Sequence, residues 1–406
     1  MPYDTITSLS QRIRDGQVSP VDIVDACLKR IELLNPSLNA FITLNHDALE
    51  QARSAQAEIL AGHWRGPMHG VPVAVKDFYD TAGTRTTGGF EQMKDRTPAR
   101  DADVVAKLKL AGGIVVGKTN MDALGMATTG LTSHFGPVRN PWNPDYVTGG
   151  SSAGSAAAVA SGMCYASVDT DAVGSVRLPA ACCGVVGIKG TYGLISLGGV
   201  LGDEPVDDFI RWMGHAGVMA RTVHDAALVL NAVADLDGKD VASGMAEADS
   251  SLRVGVGNNY AAVSEVTEAV DQAVNLLRSC GYQVSPAAVP FGDPGQATMA
   301  SVERDRARVA GDAFADIDVI ALGTLQTLVP TVNDAERNPE EGVSAENTAF
   351  ANYYGLPAMS IPCGFDSHGM PIGLQLVGKP GGERDLLNVA HHYELRSRAG
   401  RPHPIP

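Results

Sequence analysis

Short apolar runs, each bounded by Gly, Pro or Asp, recur along this chain: VPVAV (71–75), GIVVG (113–117), CYASV (164–168), GVVGI (184–188), LRVGVG (252–257), DVIALG (318–323), AMSIPC (358–363) and IGLQLVG (372–378). Runs this short and this uniformly apolar suit strands covered on both faces, not strands with one wet face. Patterns of helical period lie between most of them, for example ADVVAKLKLAG and HDAALVLNAVADL. Strand and helix alternating in this way predict an α/β fold with a largely buried sheet. Residues 252–288 read as one β-α-β unit.

The first 62 residues have a different character. Ser19-Pro20 before VDIVDACLKRIELL supplies a capping serine and a proline at the first helical position. With NHDALEQARSAQAEILAG behind it, this stretch reads as an N-terminal helical layer (1–62) packed on a single α/β domain (63–406). A Pro/Gly-rich break at 290–296 and a polar, loop-like stretch at 324–346 mark about 290–346 as a variable specificity or lid region.

Length does not restrict the fold, since 406 residues can bury a large core. The 31 Lys and Arg against 46 Asp and Glu give a net charge of -15, and no basic run forms a nucleic-acid footprint. Direct nucleic-acid binding is therefore not expected. The six cysteines contain no C-x-x-C pair and read as reduced and buried. The first residues, MPYDTITSLSQRIRDG, lack a secretory pattern, and no run of about 18 apolar residues occurs. A cytoplasmic protein without membrane association is the expectation.

Three segments carry candidate chemistry. In TGGSSAGSAAAVASG, residues 150–154 match G-x-S-x-G and nominate Ser152. A nucleophile elbow needs a buried strand running straight into it, whereas RNPWNPDYVT precedes this one. The segment reads better as a Gly/Ser loop entering a helix of small residues, against which something packs closely. No G-x-x-x-x-G-K-[ST] is present. In VPVAVKDFYD, Lys76 ends an apolar strand. Such a lysine commonly reaches solvent; held in a dry site, it would lose proton affinity and could act as a base. In VDTDAVGSVRLPAACCGVVGIKGTYG, a small-residue turn runs from Asp171 to Ser175, with Arg177 two residues on. Its successive N–H groups could stabilise an oxyanion, or the segment is simply a tight turn.

Together and in this order these segments resemble the amidase signature family: a Gly-Gly-Ser-Ser loop entering an Ala-rich helix, then an Asp-containing Gly-Ser turn followed by Arg, Pro-Ala and Cys-Gly-x-x-Gly-x-Lys. VPVAVKDFYDTAGTRTTGG and SHFGPVRNPWNP upstream, and NYYGLPAMSIPCGFDSHGMPIGLQLVGKPGGERDLLNVAHHYE downstream, extend the resemblance over most of the chain. It implies a large mixed central sheet covered by helices on both faces, and hydrolysis of a linear amide C–N bond. Carried over by position, it makes Ser175 the nucleophile, Ser151 a bridging serine after a cis peptide, and Lys76 the base. Backbone N–H groups of Ala172, Val173, Gly174 and Ser175 would form the oxyanion hole. Ser152 would bond within its loop, while Asp171 and Arg177 would brace the turn. Thr128, Thr129, Gly130 and His134 are the candidate substrate-binding residues. No metal or cofactor is implied, the expected partner is a small amide substrate, and a homodimer is allowed.

Four positions depart from the family pattern: Val173 and Asp169 stand where glycine is usual, and Gly190 and Thr148 where proline is common. Valine tolerates positive φ badly, so Val173 bears directly on whether the turn keeps its donors. The first functional reading is a free-standing hydrolase of small carboxamides, ureas or carbamates. An alternative is the glutaminase component of a tRNA-dependent amidotransferase, which works only in a complex. Where that component has an acid, this chain has Ala345, and Arg304, Arg306 or Arg308 would have to meet the glutamine carboxylate. The other alternative is an impaired family member serving in a binding role.

Overall fold

Strand pairing joins distant parts of the chain into one sheet. The structure is a computed structural model describing residues 4–202, 208–236, 240–243, 245, 249, 251–291, 298–338, 342–397, 403 and 404. Its strands are β1 (Phe41–Leu44), β2 (Pro72–Lys76), β3 (Ile114–Thr119), β4 (Ala166–Asp171), β5 (Val186–Lys189), β6 (His215–Ala220), β7 (Arg253–Gly257), β8 (Gln283–Ala287), β9 (Val319–Gly323), β10 (Ala358–Phe365) and β11 (Pro371–Gly378). They lie in the order β1-β3-β2-β4-β6-β5-β10-β11-β9-β7-β8. β3, β2 and β4 run parallel, as do β9, β7 and β8, and the remaining neighbours are antiparallel.

Both faces of the sheet are buried through its centre, as the uniformly apolar runs predict, while the edge strands β1 and β8 are partly exposed. Val73 and Val75 join one core cluster while Ala74 between them joins another; Val218 and Met219 divide in the same way. The α/β expectation is met, including the β-α-β unit: β7 and β8 are parallel and helix Ser264–Ser279 connects them. Two strands escaped the sequence reading. β6 is a short Ala/Gly-containing run beginning at a histidine, and its strand character comes from lying between β4 and β5. β1 lies within the first 62 residues, so this segment adds an edge strand to the sheet besides its helices. Helix Pro20–Leu38 begins as predicted, with Ser19 accepting a hydrogen bond from the Val21 N–H at 3.0 Å.

Helix Ala153–Ala160 has every residue buried, and it lies on β2, β3, β4 and β6. Small residues are required there. A Cβ at Gly154 would come within 2.3 Å of the Ala40 carbonyl oxygen. Four of the cysteines are buried, but Cys280 and Cys363 are partly exposed, contrary to expectation. No helix among the described residues is long and apolar enough to cross a membrane. Because β2, β3 and β4 are parallel, Lys76, Thr119 and Asp171 end their strands at the same edge of the sheet. Loops leaving that edge are the natural place for a site.

Candidate active site

Lys76 is wholly buried at the end of β2. Its Nζ donates to Ser151 Oγ at 2.8 Å, to Thr170 Oγ1 at 2.9 Å and to the Thr170 carbonyl at 3.4 Å, and the Phe78 ring lies 5.6 Å away. Burial lowers its pKa to about 8, against the opposing pull of Asp169, Asp122 and Asp171. The dry-site alternative for this lysine is thus the one the fold adopts.

Ser151 follows a cis Gly150–Ser151 peptide and is almost fully buried. Gly150 has to be glycine, because a Cβ there would sit 2.0 Å from Asp122 Oδ2. Asp122 holds this loop to its neighbour. Its N–H donates to the Ser151 carbonyl at 3.1 Å, while its carboxylate accepts from Gly130 N–H at 2.9 Å and from the Thr132 N–H and hydroxyl at 3.1 and 2.9 Å. Ser152 occupies the N-cap position of helix Ala153–Ala160 without a side-chain cap bond. Its hydroxyl makes a long 3.4 Å bond to the Thr170 carbonyl, outside its own loop, and its N–H donates to the Ser175 carbonyl at 3.3 Å.

That last bond ties the Gly/Ser loop to the turn after β4. The Ser175 hydroxyl has no hydrogen-bond partner among the described residues, and neither do the N–H groups of Ala172, Val173, Gly174 and Ser175. Four unengaged donors on consecutive residues, beside a hydroxyl, form an environment suited to an oxyanion. The positive φ that valine could not tolerate falls on Gly174, at 141°, and not on Val173. The turn as folded therefore asks for no positive φ at Val173.

Asp171 and Arg177 brace the turn, both with no exposed surface. The guanidinium Nε and Nη2 donate to the carboxylate at 3.0 Å each, and Val176 N–H adds a third bond at 3.2 Å. Burial works to raise the Asp171 pKa, but the Arg177 charge and hydrogen bonds outweigh it and hold the carboxyl well below the usual range. Arg177 also donates to the Thr348 carbonyl at 2.9 Å, Gln375 Oε1 at 2.6 Å and Asn352 Oδ1 at 2.5 Å. Thr348 Oγ1 donates to the Val173 carbonyl at 2.5 Å. Sequence reasoning gave none of Thr170, Asp122, Thr348 or Gln375 a place in the site. A glutamine inside the apolar run IGLQLVG was the readable signal, because a buried amide needs polar partners.

A cavity of about 1300 Å³ lies next to the site, although Lys76, Ser151, Ser175 and residues 172–174 are not in its lining. Thr128 lines it and packs against Gly150, while Tyr353 lines it and clusters with Ala172 and Val173. Much of its wall comes from residues 326–347, which include the short helix Val332–Arg337 as well as loop. Thr129, Gly130 and His134 are not in this cavity's lining. Thr129 and Gly130 pack against the Thr148–Ala153 segment, and His134 is exposed, edge-on to Phe135 at 5.1 Å. The cavity lining contains acidic Asp334 and Glu346 but neither lysine nor arginine among the described residues. Arg306 instead donates to main-chain carbonyls of Tyr353, Trp212 and Asn352 at 2.7–3.0 Å and stacks on Tyr192. Arg304 pairs with Asp305 at the surface.

The family model described as Amidase matches residues 22–302 and 295–387. The A component of the glutamyl-tRNA(Gln) amidotransferase of Thiobacillus denitrificans is 35% identical, with 97% of each chain covered. Among solved structures, 6-aminohexanoate cyclic dimer hydrolase complexed with substrate superposes with a TM-score of 0.84 at 29% identity, covering 100% of both chains. Native peptide amidase from Stenotrophomonas maltophilia gives 0.83 at 26% identity, covering 99% of this chain and 98% of the other. On the family match and the shared fold, the chain belongs to the amidase signature family of amide-hydrolysing enzymes.

Proposed function

We propose that this amidase cleaves a small carboxamide, or a related urea or carbamate, through an acyl-enzyme on Ser175, with residues 290–346 setting specificity. The observation that carries the reading is Lys76, buried, 2.8 Å from Ser151 Oγ and with a pKa brought down to about 8. A serine hydroxyl is a poor nucleophile at neutral pH and needs an adjacent base, and lysine can serve only where burial makes its neutral form accessible. Lys76 takes a proton from Ser151 as Ser151 takes one from Ser175. Ser175 Oγ attacks the amide carbonyl. The resulting oxyanion is held by the N–H groups of Ala172, Val173, Gly174 and Ser175, donors of a kind worth about 3–4 kcal/mol each. The proton returns through Ser151 to the leaving amine, and water then hydrolyses the acyl ester.

The experiment is a panel of carboxamides, ureas and carbamates offered to the purified protein, together with labelling by a serine-directed fluorophosphonate. Turnover with label on Ser175 is expected. Absence of both would remove the hydrolase reading and favour an impaired protein with a binding role.

Similarity to the A components of glutamyl-tRNA(Gln) amidotransferases favours a second reading, a glutaminase working in a complex. The cavity next to the site gives this reading little support, since glutamine carries a carboxylate that calls for a cation and the described lining holds His368 but neither lysine nor arginine. Uncharged amides are expected to be cleaved by the protein alone and glutamine not; glutaminase activity that appears only with the other amidotransferase components added would reverse the choice.

A further inference from the structure

Asp169, one of the four departures from the family pattern, has no part in the reaction as described above. It lies in β4 with no exposed surface. The parallel register pairs Val75 with Val168, so one step on Lys76 and Asp169 stand side by side on the same face of the sheet. Thr119 flanks Lys76 on its other side, and side-chain-free Gly217 flanks Asp169. Helix Ala153–Ala160 covers this row, its Ser155 Oγ meeting Thr119 Oγ1 at 2.6 Å. Ser167 Oγ donates to Asp169 Oδ2 at 2.5 Å, and Oδ1 has no hydrogen-bond partner among the described residues. A carboxylate left half-satisfied in a dry layer is costly unless a cation stands close. Lys76 stands on the neighbouring strand and acts on Asp169 through space; its Nζ turns to Ser151 and Thr170 and makes no direct ion pair with the carboxylate.

We propose that Asp169 is a positioning residue for Lys76: its carboxylate stabilises the charged lysine from the neighbouring strand and so sets the acid limb of the activity profile. This rests on Lys76 being the base. The other titratable groups around the pair are accounted for. Tyr79 donates its hydroxyl to the Asp169 carbonyl at 2.9 Å, and the Cys164 thiol is buried and pushed well up by desolvation. Asp122 is held by Gly130 and Thr132, and Asp171 is locked to Arg177. Of the three carboxylates acting on Lys76, Asp169 acts most strongly. Burial raises its own pKa to about 6, against the pull of neighbouring serine hydroxyls and of Lys76. Between about 6 and about 8 both side chains are therefore charged, and the lysine becomes a free base above that window. Without this carboxylate, the ammonium loses the strongest of its three carboxylate partners and gives up its proton at lower pH.

The test measures the rate of Ser175 labelling by a fluorophosphonate against pH in wild type, Asp169→Asn and Asp169→Gly, with thermal melts to establish folding. The glycine variant restores the residue of the family pattern and guards against a misfolded asparagine variant. The acid midpoint is expected to fall by about one pH unit in both, making labelling about tenfold faster well below the wild-type midpoint. A midpoint unmoved or raised in the folded variants overturns the proposal. Lys76→Met separates the two readings. If it labels normally, the base assignment fails and this inference with it; if it abolishes labelling while the Asp169 variants leave the midpoint unmoved, only the role of Asp169 fails.

Discussion

Arg177 grips Asp171 with two parallel hydrogen bonds of 3.0 Å, and neither side chain has any exposed surface. Removing one partner leaves a buried charge uncompensated. Arg177→Met should lower unfolding free energy by about 3–5 kcal/mol, read by chemical denaturation. The pair also makes stability depend on acid. Asp171 has a folded pKa below its unfolded value, so its contribution is complete above the unfolded value of about 3.9 and is lost as pH falls through the folded one. Between those two values, wild type should lose stability more steeply on acidification than Arg177→Met does.

Three serines lie close together and the substitutions should rank them. Ser152 makes one long bond of 3.4 Å through its hydroxyl, so Ser152→Ala should cost at most about 1 kcal/mol of transition-state stabilisation. Ser175→Ala should lower kcat/KM on the order of 10⁴-fold or more, with Ser151→Ala nearer to it than to Ser152→Ala. Steady-state kinetics on one carboxamide substrate decides the order, and a larger loss at Ser152 would return the G-x-S-x-G elbow to consideration.

Val173 and Gly174 should respond in opposite ways. Because Val173 does not adopt positive φ, Val173→Gly should leave the labelling rate of Ser175 close to wild type, with a stability loss of about 0.5–1 kcal/mol. A Cβ at Gly174 would meet Thr348 Oγ1 at 2.4 Å and Leu178 Cγ at 2.8 Å, at a φ of 141°. Gly174→Ala should therefore destabilise by about 1–3 kcal/mol and slow labelling sharply. Parallel melting and labelling measurements separate the two effects.

The pH dependence of turnover follows from the lysine. With a Lys76 pKa of about 8, kcat/KM should climb with pH through the neutral range and level off above that value, as the ammonium gives way to the amine. A flat profile across that range would argue against lysine as the base.

Apolar runs separated by helical periods announced most of the sheet, because strands buried on both faces leave a composition signal. β6 left little. HAGVMA is held as a strand by its neighbours, and a Cβ at Gly217 would come within 2.6 Å of the Ile188 carbonyl. The serine loops were legible through their resemblance to a known pattern, yet residue type alone did not single out the lysine. Lys118 ends a similar run, is equally buried and is likewise brought down to about 8 by burial. What differs is the partner, since Lys118 donates to the Tyr79 carbonyl, Thr81 and Thr86, whereas Lys76 faces Ser151. Cavity-lining residues were the least legible, because residues 326–347 meet Thr128 only through the fold.

The turn bearing Ser175 takes its supports from far along the chain: Thr348 on the Val173 carbonyl, Asn352 on Asp171, and Gln375 on Arg177 across 198 positions. A ribosome must therefore have released the chain past residue 375 before this turn can take its shape. Newly made chains in which residue 375 has not yet emerged would be silent toward an activity-based probe, and longer ones would react.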